Sequence, residues 1–221
     1  MIQIAPSLLA ADLWKIGEQV KKVEDAGADM LHIDVMDGQF VPNISFGLPI
    51  VQSIRKNSGM LLDVHLMINT PENYIERFVK SGADLVTIHV EATEQVERCL
   101  LTIRALGAKS GLSVKPNTPL SDIVPFLQYV DLLLVMTVEP GYGGQAYIEA
   151  MTDKIREART LIDKSGYEIL LQVDGGIVQH NIAEVVQAGA QVLVAGTSVF
   201  GAQNIADAIY HLKEIAQQQD V

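Results

Sequence analysis

The 221-residue chain reads as an α/β protein whose eight strand–helix pairs close into a (β/α)8 barrel. Three observations predict this. Short apolar, β-branched runs alternate with stretches of helical periodicity, which implies parallel strands joined by helical crossovers. The alternation occurs eight times, the number that closes such a barrel. No G-x-G-x-x-G follows the first strand, which disfavours an open doubly wound sheet.

Taken in order, the first unit pairs IQIAP at 2–6 with a helix over 13–26. The second pairs MLHIDV at 30–35 with 48–56, the third LLDVH at 61–65 with 71–81, and the fourth LVTIH at 85–89 with 94–106. The fifth pairs KSGLSV at 109–114 with 120–127, and the sixth LLLVM at 132–136 with 147–164. The seventh pairs ILLQV at 169–173 with 182–188, and the eighth VLVA at 192–195 with 204–217. The joints AGADML, SGADLV and AGAQVL each put Gly just past a helix, where a left-handed residue ends it, and start a strand soon after. No linker or shift in composition divides the chain, so one domain over 1–221 is expected.

Hydrophobic residues make up 48% of the chain, enough for a large core. A net charge of −11 without a basic run argues against nucleic acid or an anionic membrane as partner. Cys99 is the single cysteine, so no intrachain disulfide forms and a reducing, cytoplasmic setting is expected. The opening MIQIAPSLLAAD lacks the pattern of a signal peptide, and no apolar run is long enough to span a bilayer.

In a barrel the site lies at the C-terminal ends of the strands, and polar residues collect there. Strand 1 runs into Ser7. His32, Asp34 and Met36 share one side of strand 2, and Asp63, His65 and Met67 share one side of strand 3. If those sides face the axis, two imidazoles and at least one carboxylate converge, and Asp174 joins them from strand 7. Two His and two carboxylates suit a divalent transition metal such as Zn2+, Mn2+, Fe2+ or Co2+. A hydrogen-bonded core histidine is the commoner fate of a strand His, but the same cost of burial is met here on two adjacent strands. His89 is read as a residue that either lines the pocket or bonds to a Thr or Glu neighbour. Asp37 falls on the opposite parity, in the turn DGQF, and is read as a loop anchor.

Glycine-rich ends follow strands 6, 7 and 8: PGYGG at 140–144, DGG at 174–176 and AGTS at 195–198. Backbone N–H groups of such turns cradle phosphate, and barrels commonly hold phosphate after strands 7 and 8.

Six stretches now carry a resemblance: IAPSLLAADL, HIDVMDGQFVPNISFG, LDVHLMI, VMTVEPGYGGQAYI, EILLQVDGGI and VAGTSVFG. Together, from residue 2 to about 201, they resemble the ribulose-phosphate 3-epimerase family. The resemblance implies a TIM barrel of the ribulose-phosphate-binding type that interconverts D-ribulose 5-phosphate and D-xylulose 5-phosphate. It implies one divalent metal ion per subunit, Zn2+ first among the candidates, on His32, Asp34, His65 and Asp174, with Asp34 and Asp174 as the acid/base pair. It implies substrate and phosphate contacts from Ser7, His65, Gly141, Tyr142, Gly143, Gly144, Asp174, Gly175, Gly176, Gly196 and Thr197. Met36, Met67 and Met136 match pocket-lining methionines, a role compatible with barrel filling. A homo-oligomer, dimer to hexamer, is also implied.

The sequence departs from the family pattern in places. Gln172 stands where many members have Glu, which would leave Asp174 one negative neighbour fewer. Glu139 stands where many have Asn. Thr197 stands where Ser is commoner, and GTS is also similar to allulose-6-phosphate 3-epimerase, which gives a six-carbon ketose phosphate as the alternative substrate.

Epimerisation at C3 requires a proton to leave one face and return to the other, which two carboxylates on opposite faces achieve through an enediolate. Acid–base work alone supplies ~10²–10⁴ in rate, too little for so weak a carbon acid, so metal and carboxylates are expected together. No redox cofactor is needed. The rivals are a Schiff-base aldolase, for which Lys115 is the nearest lysine, and a non-catalytic sugar-phosphate binder.

Overall fold

All eight apolar runs are strands, each parallel to its neighbours. They are β1 (Gln3–Pro6), β2 (Met30–Met36), β3 (Leu61–Met67), β4 (Leu85–His89), β5 (Lys109–Val114), β6 (Leu132–Met136), β7 (Leu170–Asp174) and β8 (Val192–Ala195). The computed structural model describes residues 2–219; residues 1, 220 and 221 of the expected domain lie outside the described residues. The sheet runs β1-β8-β7-β6-β5-β4-β3-β2, and a parallel bridge from Ser7 to His32 joins its two ends. A (β/α)8 barrel results, as expected.

The helices are α1 (Ile16–Asp25), α2 (Leu48–Asn57), α3 (Ile75–Lys80), α4 (Val96–Ala105), α5 (Met151–Ser165), α6 (Ile182–Gln187), α7 (Thr197–Phe200) and α8 (Ile205–Gln217). One expected helix is absent. The segment 120–127 forms two 3-10 turns, Leu120–Asp122 and Val124–Tyr129. Pro125 lacks the N–H that an α-helix needs there, and its ring would strike the carbonyl one turn back. The short α7, folded from the start of the eighth crossover, is an element the periodicity does not announce.

The main core lies between strands and helices, built from residues such as Ile33, Val64, Ile88, Leu133, Val173 and Leu193. The opposite face of each strand fills the barrel. Its apolar part includes Ala5, Met30, Leu85, Leu134, Met136 and Val194. Into the same interior project His32, Asp34, Asp63, His65, Thr87, His89, Ser113 and Gln172, all buried. Buried polar groups in such number need partners.

A four-fold pattern fastens the N-terminal ends of the strands. Asp29, Asp84, Asp131 and Gln191 each precede an even-numbered strand, and each side chain accepts a backbone N–H from the odd-numbered strand before it. The donors are Ile4 (2.8 Å), Leu62 (2.8 Å), Ser110 (2.8 Å) and Leu171 (3.3 Å). A basic residue from the surrounding helices meets each one: Lys213, Arg55, Arg104 and Arg159. Gly82 of the SGAD joint has φ +108°, and a Cβ there would lie 2.3 Å from Arg55 Cγ, so the arginine stem lies directly on the joint.

Candidate active site

β2 and β3 set the centre by register. His32 lies opposite Asp63, and Asp34 opposite His65, so the H-x-D and D-x-H runs become two cross-strand His–Asp pairs. His32 Nδ1 is 2.6 Å from Asp63 Oδ2, and His65 Nδ1 is 3.2 Å from Asp34 Oδ1. Asp174 ends β7 and brings Oδ2 to 3.8 Å from His32 Nε2 and 3.9 Å from His65 Nδ1. Ser7 Oγ donates to Asp34 Oδ2 at 2.7 Å.

One ligand atom from each of His32, Asp34, His65 and Asp174 can be chosen so that all lie within 4.8 Å of one another. The residues fit a divalent cation on two further grounds. Two imidazole nitrogens and two carboxylates form a donor set such a cation prefers. His32 Nε2 is buried without a hydrogen-bond partner, an expensive condition that a cation would relieve. Asp63 behind His32 takes its far nitrogen, the usual outer partner of a metal-binding histidine.

The two carboxylates of this centre are pushed apart electrostatically. Burial works against the charge of Asp34, but His32 and His65 beside it outweigh that and hold the carboxyl well below the usual range. Asp174 is raised to about 6, first by burial and then by the charge of Asp34. Two acids with such different proton affinities provide one base and one acid. Burial also opposes protonation of His32, yet Asp63 and Asp34 raise its pKa well above the ordinary histidine range, and a cation at Nε2 would take the place of the second proton. The centre as a whole favours positive charge.

Above it opens a cleft lined by Ser7, Asp34, Asp174, the glycine-rich turns and Thr197. Met36, Met67 and Met136 line its floor and are almost fully buried. Gly141, Gly143, Gly144, Gly175, Gly176 and Gly196 all border it, and Tyr142 stands half-exposed at its rim. Gly176 has φ +67°, and a Cβ would lie 2.3 Å from the Tyr147 nitrogen, so only glycine fits this turn. His65, by contrast, is fully buried beneath the cleft.

Loops from β2 and β6 interlock over one side. Asn43 Nδ2 donates to the Gly141 carbonyl (2.9 Å), and the Tyr142 hydroxyl donates to the Pro42 carbonyl (3.1 Å). Asp37 accepts the N–H groups of Gln39, Phe40 and Asn69, so it is the loop anchor its parity predicts.

Sequence reading misses three features. Gln172 donates Nε2 to Asp63 Oδ2 at 2.7 Å, so it serves the outer partner of His32 and not Asp174. Asp63 itself is placed on the inner face by parity, but parity gives it no role. His89 bonds to Glu91 as expected, yet its Nε2 also lies 2.9 Å from His65 Nε2. The inward parity of β4 is the one available signal for that contact.

Fold and site together define a class: a barrel enzyme equipped for acid–base chemistry at a centre able to hold a metal. The family follows from comparison, for residues 3–200 match the model of the ribulose-phosphate 3 epimerase family, and the chain belongs to that family. A ribulose-phosphate 3-epimerase from Synechocystis is 48% identical over 210 residues, covering 94% of this chain and 91% of the relative. One from Aquifex aeolicus is 45% identical over 212 residues, covering 96% of each. Among solved structures, KGPDC from Streptococcus mutans superposes with a TM-score of 0.76 over 98% of both chains at 14% identity, a likeness of fold. No helix among the described residues is long and apolar enough to cross a membrane.

Proposed function

We propose that the chain is a metal-dependent epimerase that inverts C3 of a 2-ketose phosphate, interconverting D-ribulose 5-phosphate and D-xylulose 5-phosphate. The observation that carries this reading is the meeting of Asp34 from β2 and Asp174 from β7 with His32 and His65 around one centre that fits a cation. Asp34, ionised, takes the C3 proton from one face. Asp174, raised in proton affinity by burial and by the charge of Asp34, supplies one on the other, and the roles exchange with direction. Ser7 keeps the Asp34 carboxylate oriented.

His32, Asp34, His65 and Asp174 would hold one divalent ion per subunit, Zn2+ or else Fe2+, Mn2+ or Co2+. Such an ion would stabilise the negative charge that develops on the substrate oxygens as C3 loses its proton. His65, beneath the cleft, would meet substrate from below. The turns at Gly141–Gly144, Gly175–Gly176 and Gly196–Thr197 would receive the phosphate through backbone N–H groups and fix the register of C3. Tyr142 would close the rim, and the three methionines would give the carbon chain an apolar floor. The partner is a small ketose phosphate. A cytoplasmic setting and a homo-oligomer, dimer to hexamer, belong to the same proposal.

The test compares kcat/KM on ribulose 5-phosphate and allulose 6-phosphate with bound metal measured in the same sample. A strong preference for ribulose 5-phosphate is expected. Preference for the hexulose would reassign the substrate, and inactivity on both with metal bound would defeat the epimerase reading.

A further inference from the structure

We propose that Glu91, which lies outside the cleft, decides which nitrogen of His65 is free to hold the metal ion, acting through His89. The inference rests on the reading of His65 as a ligand through Nδ1.

Three contacts run in line. Glu91 Oε2 is 3.2 Å from His89 Nδ1, His89 Nε2 is 2.9 Å from His65 Nε2, and His65 Nδ1 is 3.2 Å from Asp34 Oδ1. A neutral imidazole has one N–H and one lone pair, so fixing one nitrogen fixes the other. Glu91 is an acceptor only. Burial opposes its charge, but hydrogen bonds from His89, Thr118 and the Lys115 N–H pull its carboxyl down to about 2. His89 therefore carries its proton on Nδ1. It carries no second, because a fully buried imidazolium would set an N–H against His65 Nε2 with no counter-charge there.

The consequence passes inward. With its proton on Nδ1, His89 presents a lone pair at Nε2. The proton between the two facing Nε2 atoms then belongs to His65. His65, protonated on Nε2, is left with a lone pair on Nδ1, directed at Asp34 and Asp174. The reverse arrangement would put an N–H on His65 Nδ1 and close the centre to a cation. His32 obeys the same logic with the nitrogens exchanged, because Asp63 takes its Nδ1 proton and leaves Nε2 free.

The relay is held in place on all sides. The 3-10 turn Val90–Ala92, directly after β4, carries Glu91. Its other oxygen accepts the Lys115 N–H at 2.8 Å. Lys154 Nζ donates to the carbonyls of Lys115, Pro116 and Thr118 at 2.8, 3.0 and 2.5 Å and so fixes that loop. Phe40 packs on His89 with ring centroids 4.8 Å apart, and Lys115 Nζ sits 3.9 Å from the centroid of the Phe40 ring.

Glu91→Gln tests the relay. The amide has one oxygen for two donors, the Lys115 N–H and the His89 N–H. Serving Lys115 turns its NH2 toward His89 and reverses both imidazoles; serving His89 opposes two donors at Lys115. Zn2+ affinity of the full chain, measured by chelator competition, should fall by about 10–100-fold. In a His89→Gln background, the new amide can accept the His65 proton whatever stands at 91, so adding Glu91→Gln should change the affinity by less than about two-fold. In the Zn2+-loaded parent, 15N spectra should show His89 protonated on Nδ1 alone. Unchanged Zn2+ affinity in Glu91→Gln, an equal loss in the His89→Gln background, or a proton on His89 Nε2 would each overturn the proposal. A parent that binds no Zn2+ would defeat the metal reading and this inference with it, whereas a binding parent with an unaffected Glu91→Gln variant defeats this inference alone.

Discussion

His32 and Asp63 face each other across β2 and β3, with Nδ1 2.6 Å from Oδ2 and both side chains fully buried. Asp63 Oδ2 also accepts from Gln172, while its Oδ1 has no partner. A carboxylate in that position raises the basicity of the imidazole and fixes its tautomer. Asp63→Asn can present its oxygen to both donors and its NH2 where Oδ1 now lies, so it removes charge and keeps shape. Asp63→Leu removes both. Zn2+ affinity should fall about 10-fold in the first and towards about 100-fold in the second. Equal affinities in parent and both variants would show that the pair only fills space.

Asp34 and Asp174 come from β2 and β7, three steps apart around the ring through β1 and β8. If each serves one face of C3, replacing either should stop epimerisation and spare exchange on the other face. Metal-saturated Asp34→Asn and Asp174→Asn should lose about 10²–10⁴ in kcat. In D2O each variant should still wash deuterium into C3 of one epimer without forming the other. Loss of exchange from both epimers in both variants would argue for one base shared by the two faces.

The four-fold ring at the N-terminal end makes a claim about stability alone. Asp84 Oδ2 accepts the Leu62 N–H at 2.8 Å and Arg55 Nη1 at 2.9 Å. Asp84→Ala leaves a partly buried N–H without its acceptor and should cost about 1–3 kcal/mol in urea unfolding. kcat/KM should stay near the parent value, because the change lies at the opposite end of the barrel from the cleft. A large fall in kcat/KM with unchanged stability would be inconsistent with that placement.

Much of this is legible because strand periodicity is local. The parity of His32, Asp34, Asp63 and His65 follows from two short runs, and parallel pairing brings the runs together. What escapes depends on how the barrel closes. Gln172 and Asp63 are 109 positions apart, and only the stagger of the strands puts them on one level. Gln172 and Asp174 share a side of β7, but two residues of rise separate their levels, so the expected neighbour is the wrong carboxylate. His89 taken singly looks like a wall residue, whereas its role lies in a contact between two rings. The missing fifth helix turns on Pro125, a local signal that outranks an otherwise helical pattern.

The glycine turns offer a sharp test of the phosphate assignment. Gly176 combines a left-handed φ of +67° with a Tyr147 backbone nitrogen 2.3 Å from where a Cβ would stand. The Asn181 Nδ2 donates to its carbonyl at 2.9 Å, which ties the turn to the start of α6. Gly176→Ala must move either this turn, which borders the cleft, or the segment at Tyr147 packed against it. If backbone N–H groups here hold the phosphate, KM should rise by at least about 10-fold, the worth of one hydrogen bond to a charged group. Zn2+ affinity should be unaffected, since Asp174 keeps its place at the end of β7. Inorganic phosphate should then compete with substrate in the parent and far more weakly in the variant. A variant with unchanged KM and unchanged phosphate inhibition would show that the anion is held elsewhere.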